Sequence, residues 1–298
     1  MKDNIKKYFY RIIQIKKHIV IFNIMIDKIV KKPEINDSIK TIEEIVNNNY
    51  SISRYGDGEF KLIDGEDLLF QKYDKSLANR LKEILISNEE KHLVCIPKQI
   101  ISTDWLNDRA KYFWDNYLSL NRYKLYKLID NNKVYYDSFI TRFYMDYKDK
   151  SQSKNILNNL KKIWYKKNVV MVEGEESRLG VGNDLFDECL SIERIICPKK
   201  NSYTKYKDIL ESVRNNVTKD KLILIALGPT ATVLAYDLSK LGYTALDIGH
   251  VDIEYEWFLK KADRKIDIKN KYVGEVLNGN YSDAISDSRY LKQIISTI

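Results

Sequence analysis

From about residue 156 the chain alternates helix-patterned segments with apolar runs of strand length, and that order leaves few folds open. Helices are expected over 156–163, 184–190, 203–215 and 231–241, and strands over 168–172, 194–197, 222–227 and 245–248. The strand runs, such as Leu222-Ile223-Leu224-Ile225, are apolar on both faces, so both faces of their sheet must be covered. Regular β-α-β-α succession then predicts an α/β fold, a mainly parallel sheet flanked by helices. Ligands of such sheets sit beyond the carboxyl ends of the strands.

The first half is less regular but compatible. Asn36-Asp37-Ser38 is a cap signal for a helix over 39–47. A short strand over 51–55 runs into the turn Gly56-Asp57-Gly58. Further helices are expected over 77–86 and 104–131, and strands over 92–96 and 134–143. No repeat, low-complexity tract or Gly/Pro/Ser linker divides the chain, so one continuous domain is the simpler reading of its 298 residues.

Composition narrows the partners. The net charge is +8, spread along the chain, which favours anionic partners: nucleotide-sugars, nucleic acid or an acidic membrane surface. Lys and Arg are interspersed with acids and no RNA or DNA motif appears, which argues against nucleic acid. The 22 tyrosines reflect a Lys/Ile/Asn/Tyr-rich composition. Cys95, Cys189 and Cys197 lack C-x-x-C spacing, so neither a zinc site nor a disulfide framework is indicated, and a reducing cytosol fits.

No secretory signal is visible. Residues 1–36 form a basic segment whose apolar run, 19–26, is too short to span a bilayer. Lys2, Lys6, Lys7, Arg11, Lys16 and Lys17 precede that run; Lys28, Lys31 and Lys32 follow it. A basic helix of this kind can lie peripherally on the anionic inner leaflet of the cell membrane, or pack on its own domain. Both readings stand open.

Two glycine-bearing turns fall at the expected carboxyl edge. Ser177-Arg178-Leu179-Gly180-Val181-Gly182-Asn183-Asp184 follows one strand, and Leu227-Gly228-Pro229-Thr230-Ala231-Thr232 another. Glycine and hydroxyls opening a helix present bare N–H groups to a phosphate. Neither turn is a full G-x-G-x-x-G, and the second lacks the Lys of a Walker A loop, so dehydrogenase and P-loop chemistry are unsupported. What remains is a generic phosphate cradle with Ser177, Arg178, Thr230 and Thr232 as side-chain partners.

Carboxylates supply the other half of a site. Asp57-Gly58-Glu59 places two acids around a flexible glycine, a pattern that can hold Mg²⁺ or Mn²⁺. By spacing alone it is weak, because on the order of six acid-x-acid pairs arise by chance at this composition, and Asp64-Gly65-Glu66 repeats it. The strip Asp247-Ile248-Gly249-His250-Val251-Asp252-Ile253-Glu254-Tyr255-Glu256-Trp257 is denser. Extended, it puts His250, Asp252, Glu254 and Glu256 on one face; helical, it still pairs Asp252 with Glu256. Such crowding favours one carboxyl with a raised pKa, suited to general-base work.

Taken together, Ser53-Arg54-Tyr55-Gly56-Asp57-Gly58-Glu59-Phe60, the two glycine turns and the 247–257 strip resemble the GT-D-type glycosyltransferases, in the family's order and over roughly residues 40 to 260. The resemblance implies a Rossmann-like fold over residues 37–265, with 1–36 and 266–298 as extensions. It implies transfer from a UDP-sugar to a glycan or glycoprotein acceptor in a bacterial glycan pathway, with Mn²⁺ or Mg²⁺. The family's Asp-x-Glu motif corresponds to Asp57 and Glu59 as metal ligands, and Arg54 and Gly56 of the same segment are donor-binding candidates, Arg54 to neutralise phosphate charge. The geometry of the turns adds Ser177, Arg178, Gly180, Gly182, Asn183, Asp184, Gly228, Pro229, Thr230 and Thr232 as donor-binding candidates. Glu254 is the expected base, with Asp252 or Glu256 next. A nucleotide-sugar hydrolase or a phosphotransferase on the same scaffold is the alternative.

Overall fold

In the computed structural model, which describes residues 2–276 and 286–298 and side chains from Tyr10 onward, nine strands form one sheet in which every pairing is parallel. The chain begins with α1 (Lys2–Ile29), β1 (Glu34–Ile35), α2 (Ser38–Asn48), β2 (Ser51–Arg54), α3 (Asp57–Ile63), α4 (Lys75–Leu85) and β3 (His92–Ile96). It continues with α5 (Asp108–Leu128), β4 (Val134–Asp137), α6 (Ser153–Lys161), β5 (Asn168–Gly174), β6 (Ser191–Cys197) and α7 (Tyr206–Asn216). β7 (Leu222–Ala226), α8 (Pro229–Lys240), β8 (Thr244–Asp247), α9 (Val251–Leu259), α10 (Ser288–Gln293) and β9 (Ile294–Thr297) complete it. The strand order is β1-β4-β3-β2-β8-β7-β5-β6-β9. From β5 the chain moves outward to β6, and from β7 it moves the other way to β8, so the order reverses between β5 and β7. Side chains of β3, β5 and β7 are buried on both faces, the reason those runs read as continuously apolar.

Local signals explain the element ends. Asp37 caps α2 by accepting from Lys40 N, Asp74 caps α4, and Asn107 caps α5 by accepting from Ala110 N. Gly228, at φ 54°, turns the chain from β7 into α8, with Pro229 at the first helical position.

Two sequence expectations need correction. Residues 184–190 form no helix. Their main-chain groups bond outward, Lys166 N to Glu188 O and Leu190 N to Lys167 O, while Leu185 and Phe186 plug the core through successive turns. The strand expected over 134–143 stops at Asp137, whose carboxylate accepts from Phe139 N and starts a 3₁₀ turn over Ser138–Thr141. Among the described residues beyond 265, β9 pairs with β6, and Lys271 is buried.

α1 meets its own domain along one side. Asn23 accepts from Tyr123 N, Asp27 meets Arg122 and Tyr126, and Phe22 sits edge-on to Tyr123. Its other sides leave Ile13, Ile15, Ile21, Ile24, Met25 and Ile29 exposed. Among the described residues no helix is long and apolar enough to cross a membrane.

Candidate active site

β2 and β8 lie side by side, and their carboxyl ends bring Arg54 and Asp247 together. Arg54 donates Nε to the Asp247 main-chain oxygen (2.7 Å) and Nη2 to Asp247 Oδ1 (3.1 Å). Its Nη1 donates to Ser138 O and Thr141 Oγ1. Thr232 on α8 donates to Arg54 O and reaches Asp247 Oδ2. Gly249, at φ 46°, is required here, because a Cβ would stand 2.1 Å from Arg54 Nη2.

Past Arg54 the chain turns directly into α3. Glu59 folds back to accept from Gly56 N (2.7 Å), and Asp57 Oδ2 meets Lys61 Nζ at 2.6 Å. Burial pushes the Glu59 carboxyl up to about 7, with the charges of Asp247 and Asp57 adding to it against the Gly56 N–H. Three carboxylates thus share this corner, an electrostatic setting that welcomes a cation. Among the described residues no cluster of three or more His, Cys, Asp or Glu could hold a metal. Lys61 engages Asp57 Oδ2 and Gly56 N engages Glu59 Oε2, so each carboxylate has its second oxygen to offer a hard cation of the kind that takes oxygen ligands.

A cleft opens where the strand order reverses. It is lined by Gly174 at the end of β5 with Ser177 beyond it, Pro198 and Lys199 after β6, and Ala226 at the end of β7 with Leu227 and Gly228 beyond it. Gly249, His250 and Asp252 close one wall; Phe70 and Tyr272 close others. Phe70 lies over Gly228, where a Cβ would come within 2.8 Å of its ring. The N-terminus of the 12-residue α8 faces this region, and Thr230 Oγ1 is buried there with no hydrogen-bond partner among the described residues.

The two glycine turns separate. Gly228 lines the cleft and Thr232 stands at the Arg54–Asp247 corner beside it, while Pro229 and Thr230 are buried in the first turn of α8. In the first glycine turn Ser177 and Leu179 line the cleft. Arg178, buried at φ 48°, donates to Asn270 O, so it ties the C-terminal segment down. Gly180 gives its N–H to Asp252 Oδ1, and a Cβ there would meet the Phe186 ring at 2.7 Å. Asn183 donates to both Asp252 and Glu256, and Asp184 accepts from the Tyr255 hydroxyl. Gly182 is exposed, at φ 81°. Without a following helix, residues 180–184 form a lock onto α9 and stand outside the cleft lining.

The acidic strip is helical, as α9, and its carboxylates are buried. Asp252 Oδ2 meets Lys271 Nζ at 2.5 Å, and Glu256 meets Lys271 and Lys260. Glu254 points elsewhere and accepts from Tyr144 N (2.7 Å) and Met145 N (2.6 Å) through Oε1. Burial raises the Glu254 carboxyl to about 7, with Asp146 adding, against Arg142 and the two N–H donors.

Two further residues, His250 at the cleft wall and Glu275 behind it, were not among the site residues expected from the sequence. His250 lines the cleft, 38% exposed, with Nδ1 3.5 Å from Glu275 Oε1. Glu275 also meets Arg142 and Lys265. Burial alone would raise its carboxyl, but the Arg142 charge, His250 and Lys265 outweigh that and hold it well below the usual range. His250 was legible as part of the strip; nothing in the sequence linked it to a residue 25 positions on.

The family model for the glycosyltransferase GT-D fold matches residues 52–276. A probable glycosyl transferase Gly of Streptococcus gordonii is 38% identical over 260 residues, and the glycosyltransferase GlyD of Streptococcus pneumoniae serotype 4 is 35% identical over 260. Both matches take in 87% of this chain but 38% and 32% of the relatives, so the chain spans about a third of their length. A solved structure of the domain of unknown function 1792, described as having a distinct glycosyltransferase fold, superposes with a TM-score of 0.87 at 37% identity, over 93% of this chain and 99% of that one. A new glycosyltransferase from Streptococcus sanguinis with the same domain gives 0.84 at 37%, over 90% and 100%.

Proposed function

The chain belongs to the GT-D-fold glycosyltransferase family, and on that premise we propose that it moves a sugar from a UDP-sugar to a hydroxyl of a glycan or glycoprotein acceptor. The observation that carries this reading is the meeting of an acidic corner, a helix N-terminus and a cleft at the reversal of strand order. The donor diphosphate lies along the N-terminus of α8 and the Gly174–Ser177 turn, with Lys199 beside it. Asp57 and Glu59 would hold Mn²⁺ or Mg²⁺, which would supply charge to offset that growing on the leaving diphosphate.

The bonds balance simply. The bond from the sugar C1 to the diphosphate oxygen breaks, its electron pair leaves with the diphosphate, and the acceptor oxygen bonds C1. The acceptor hydroxyl loses a proton, and His250 stands where it can take it: in the cleft wall, partly exposed, with the Glu275 carboxylate behind. Asp252, Glu254 and Glu256, first choices from the sequence, are positioning residues in this reading because each is already engaged by buried donors. Arg54 fixes the Asp247 corner and supplies positive charge near the diphosphate.

Peripheral contact with an anionic inner leaflet belongs to the same proposal. Between Asp3 and Asp27 the chain has no acid, and the basic residues interleave with the apolar side chains that α1 leaves exposed. The activity test is release of nucleotide from a panel of nucleotide-sugars, with Mn²⁺ and with chelator. Metal-dependent release from a UDP-sugar, accelerated by an acceptor, is expected. Release that no acceptor accelerates would favour a hydrolase.

A further inference from the structure

We propose that a second cavity, about 520 Å³ and separate from the donor cleft, binds the phosphate group of a charged acceptor glycan. It lies between the start of α5, the 142–150 loop and the 259–265 turn. Four of its lining cations, Arg109, Lys148, Lys261 and Arg264, form no ion pair among the described residues. They come from three separate stretches of chain, so the fold and not local sequence gathers them. The acids in the lining are fewer, Asp108, Asp146 and Asp263, and Asp146 is held by Arg142 and Lys265. A concave surface with an excess of positive charge raises the local concentration of anions.

The floor of this cavity is fixed. Glu254 holds the main chain of Tyr144 and Met145 from beneath, and Lys150 sits 3.7 Å from the centre of the Tyr144 ring. That gives the buried carboxylate of α9 a role: it shapes the basic cavity. The cavity also shares a wall with the donor cleft. Lys265 lines the one, His250 lines the other, and both meet Glu275. An acceptor anchored by a phosphate on the basic side would extend a neighbouring hydroxyl toward His250. This inference rests on the donor-cleft reading above.

The test uses the full chain with its donor cleft filled by UDP, titrated with inorganic pyrophosphate in a calorimeter at low and at moderate salt. The wild-type protein is expected to bind pyrophosphate, more weakly as salt rises. A triple variant, Lys148→Gln with Lys261→Gln and Arg264→Gln, is expected to bind at least tenfold more weakly while its UDP affinity is unchanged. A control with the same loss of charge elsewhere, Lys82→Gln with Lys207→Gln and Arg214→Gln, is expected to bind as the wild type does. No pyrophosphate binding by the wild type, or equal loss in both variants, overturns the proposal. Pyrophosphate binding that depends on these three cations in a protein that fails to bind UDP would instead count against the donor-cleft reading. In turnover, an acceptor sugar phosphate should lose KM advantage over its unphosphorylated sugar in the triple variant only.

Discussion

Arg54 and Asp247 are joined twice, side chain to main chain at 2.7 Å and side chain to side chain at 3.1 Å, across the β2–β8 junction. A guanidinium spends its fork geometry on that double contact and on Ser138 and Thr141, which an ammonium cannot reproduce. Arg54→Lys is therefore expected to leave a buried charge poorly paired. The expected loss is on the order of 3 kcal/mol in stability and at least tenfold in transfer, read by urea unfolding and by turnover at saturating donor.

Gly249→Ala attacks the same corner from the other side. A Cβ there meets Arg54 Nη2, and the left-handed backbone adds strain. The variant should lose activity as Arg54→Lys does. Gly182→Ala carries the same left-handed strain at φ 81° but meets nothing near its would-be Cβ and lies outside the cleft lining, so it should lose some stability and keep its activity.

Much of this corner was legible in the sequence. The Ser53-to-Phe60 segment and the doubly apolar strands announced a parallel α/β sheet with acids at its carboxyl edge. The 180–184 turn misled because its glycines and polar residues serve packing: Gly180 admits the Phe186 ring, and Asn183 braces Asp252 and Glu256. No local pattern could say that 184–190 bonds outward to residues 166 and 167 and so stays non-helical. Nor could spacing reveal Lys271 beneath Asp252, or Glu275 between two cavities, since those pairings exist only once the C-terminal segment crosses the sheet edge.

Lys271→Met would leave Asp252 and Glu256 as two buried carboxylates sharing Asn183. Removing one partner of a buried ion pair costs about 3–5 kcal/mol. A large fall in the urea midpoint is expected, partly restored when Asp252→Asn is added. A Lys271→Met protein as stable as the wild type would show that this pair does not tie the C-terminal segment to α9.

Glu254 gives the fold a pH signature. Its carboxyl titrates near 7 when folded and near 4.5 when unfolded, so between those values the folded protein holds the extra proton. Its contribution is favourable at low pH and is lost as pH rises from about 4.5 through 7. Glu254→Gln keeps an oxygen for Tyr144 N and Met145 N and removes the charge. It should gain on the wild type above pH 7, by up to about 3 kcal/mol at roughly 1.4 kcal/mol per pH unit, and the gain should vanish near pH 4. Melting temperatures of the pair from pH 4 to pH 8 check this.

For α1, the wild-type protein should sediment with vesicles containing phosphatidylglycerol and stay in solution with pure phosphatidylcholine. Ile13→Asp with Ile24→Asp, both on exposed positions, should abolish sedimentation and leave turnover of soluble substrates unchanged.

The central claim is that Asp57 and Glu59 hold a divalent ion against the donor diphosphate. Titration of Mn²⁺ followed by electron paramagnetic resonance, with and without UDP, tests it most directly. Wild-type protein should bind Mn²⁺ more tightly when UDP is present, and Asp57→Asn should lose that binding and transfer together while its melting curve stays close to wild type. Equal Mn²⁺ binding and equal turnover in Asp57→Asn would contradict the assignment.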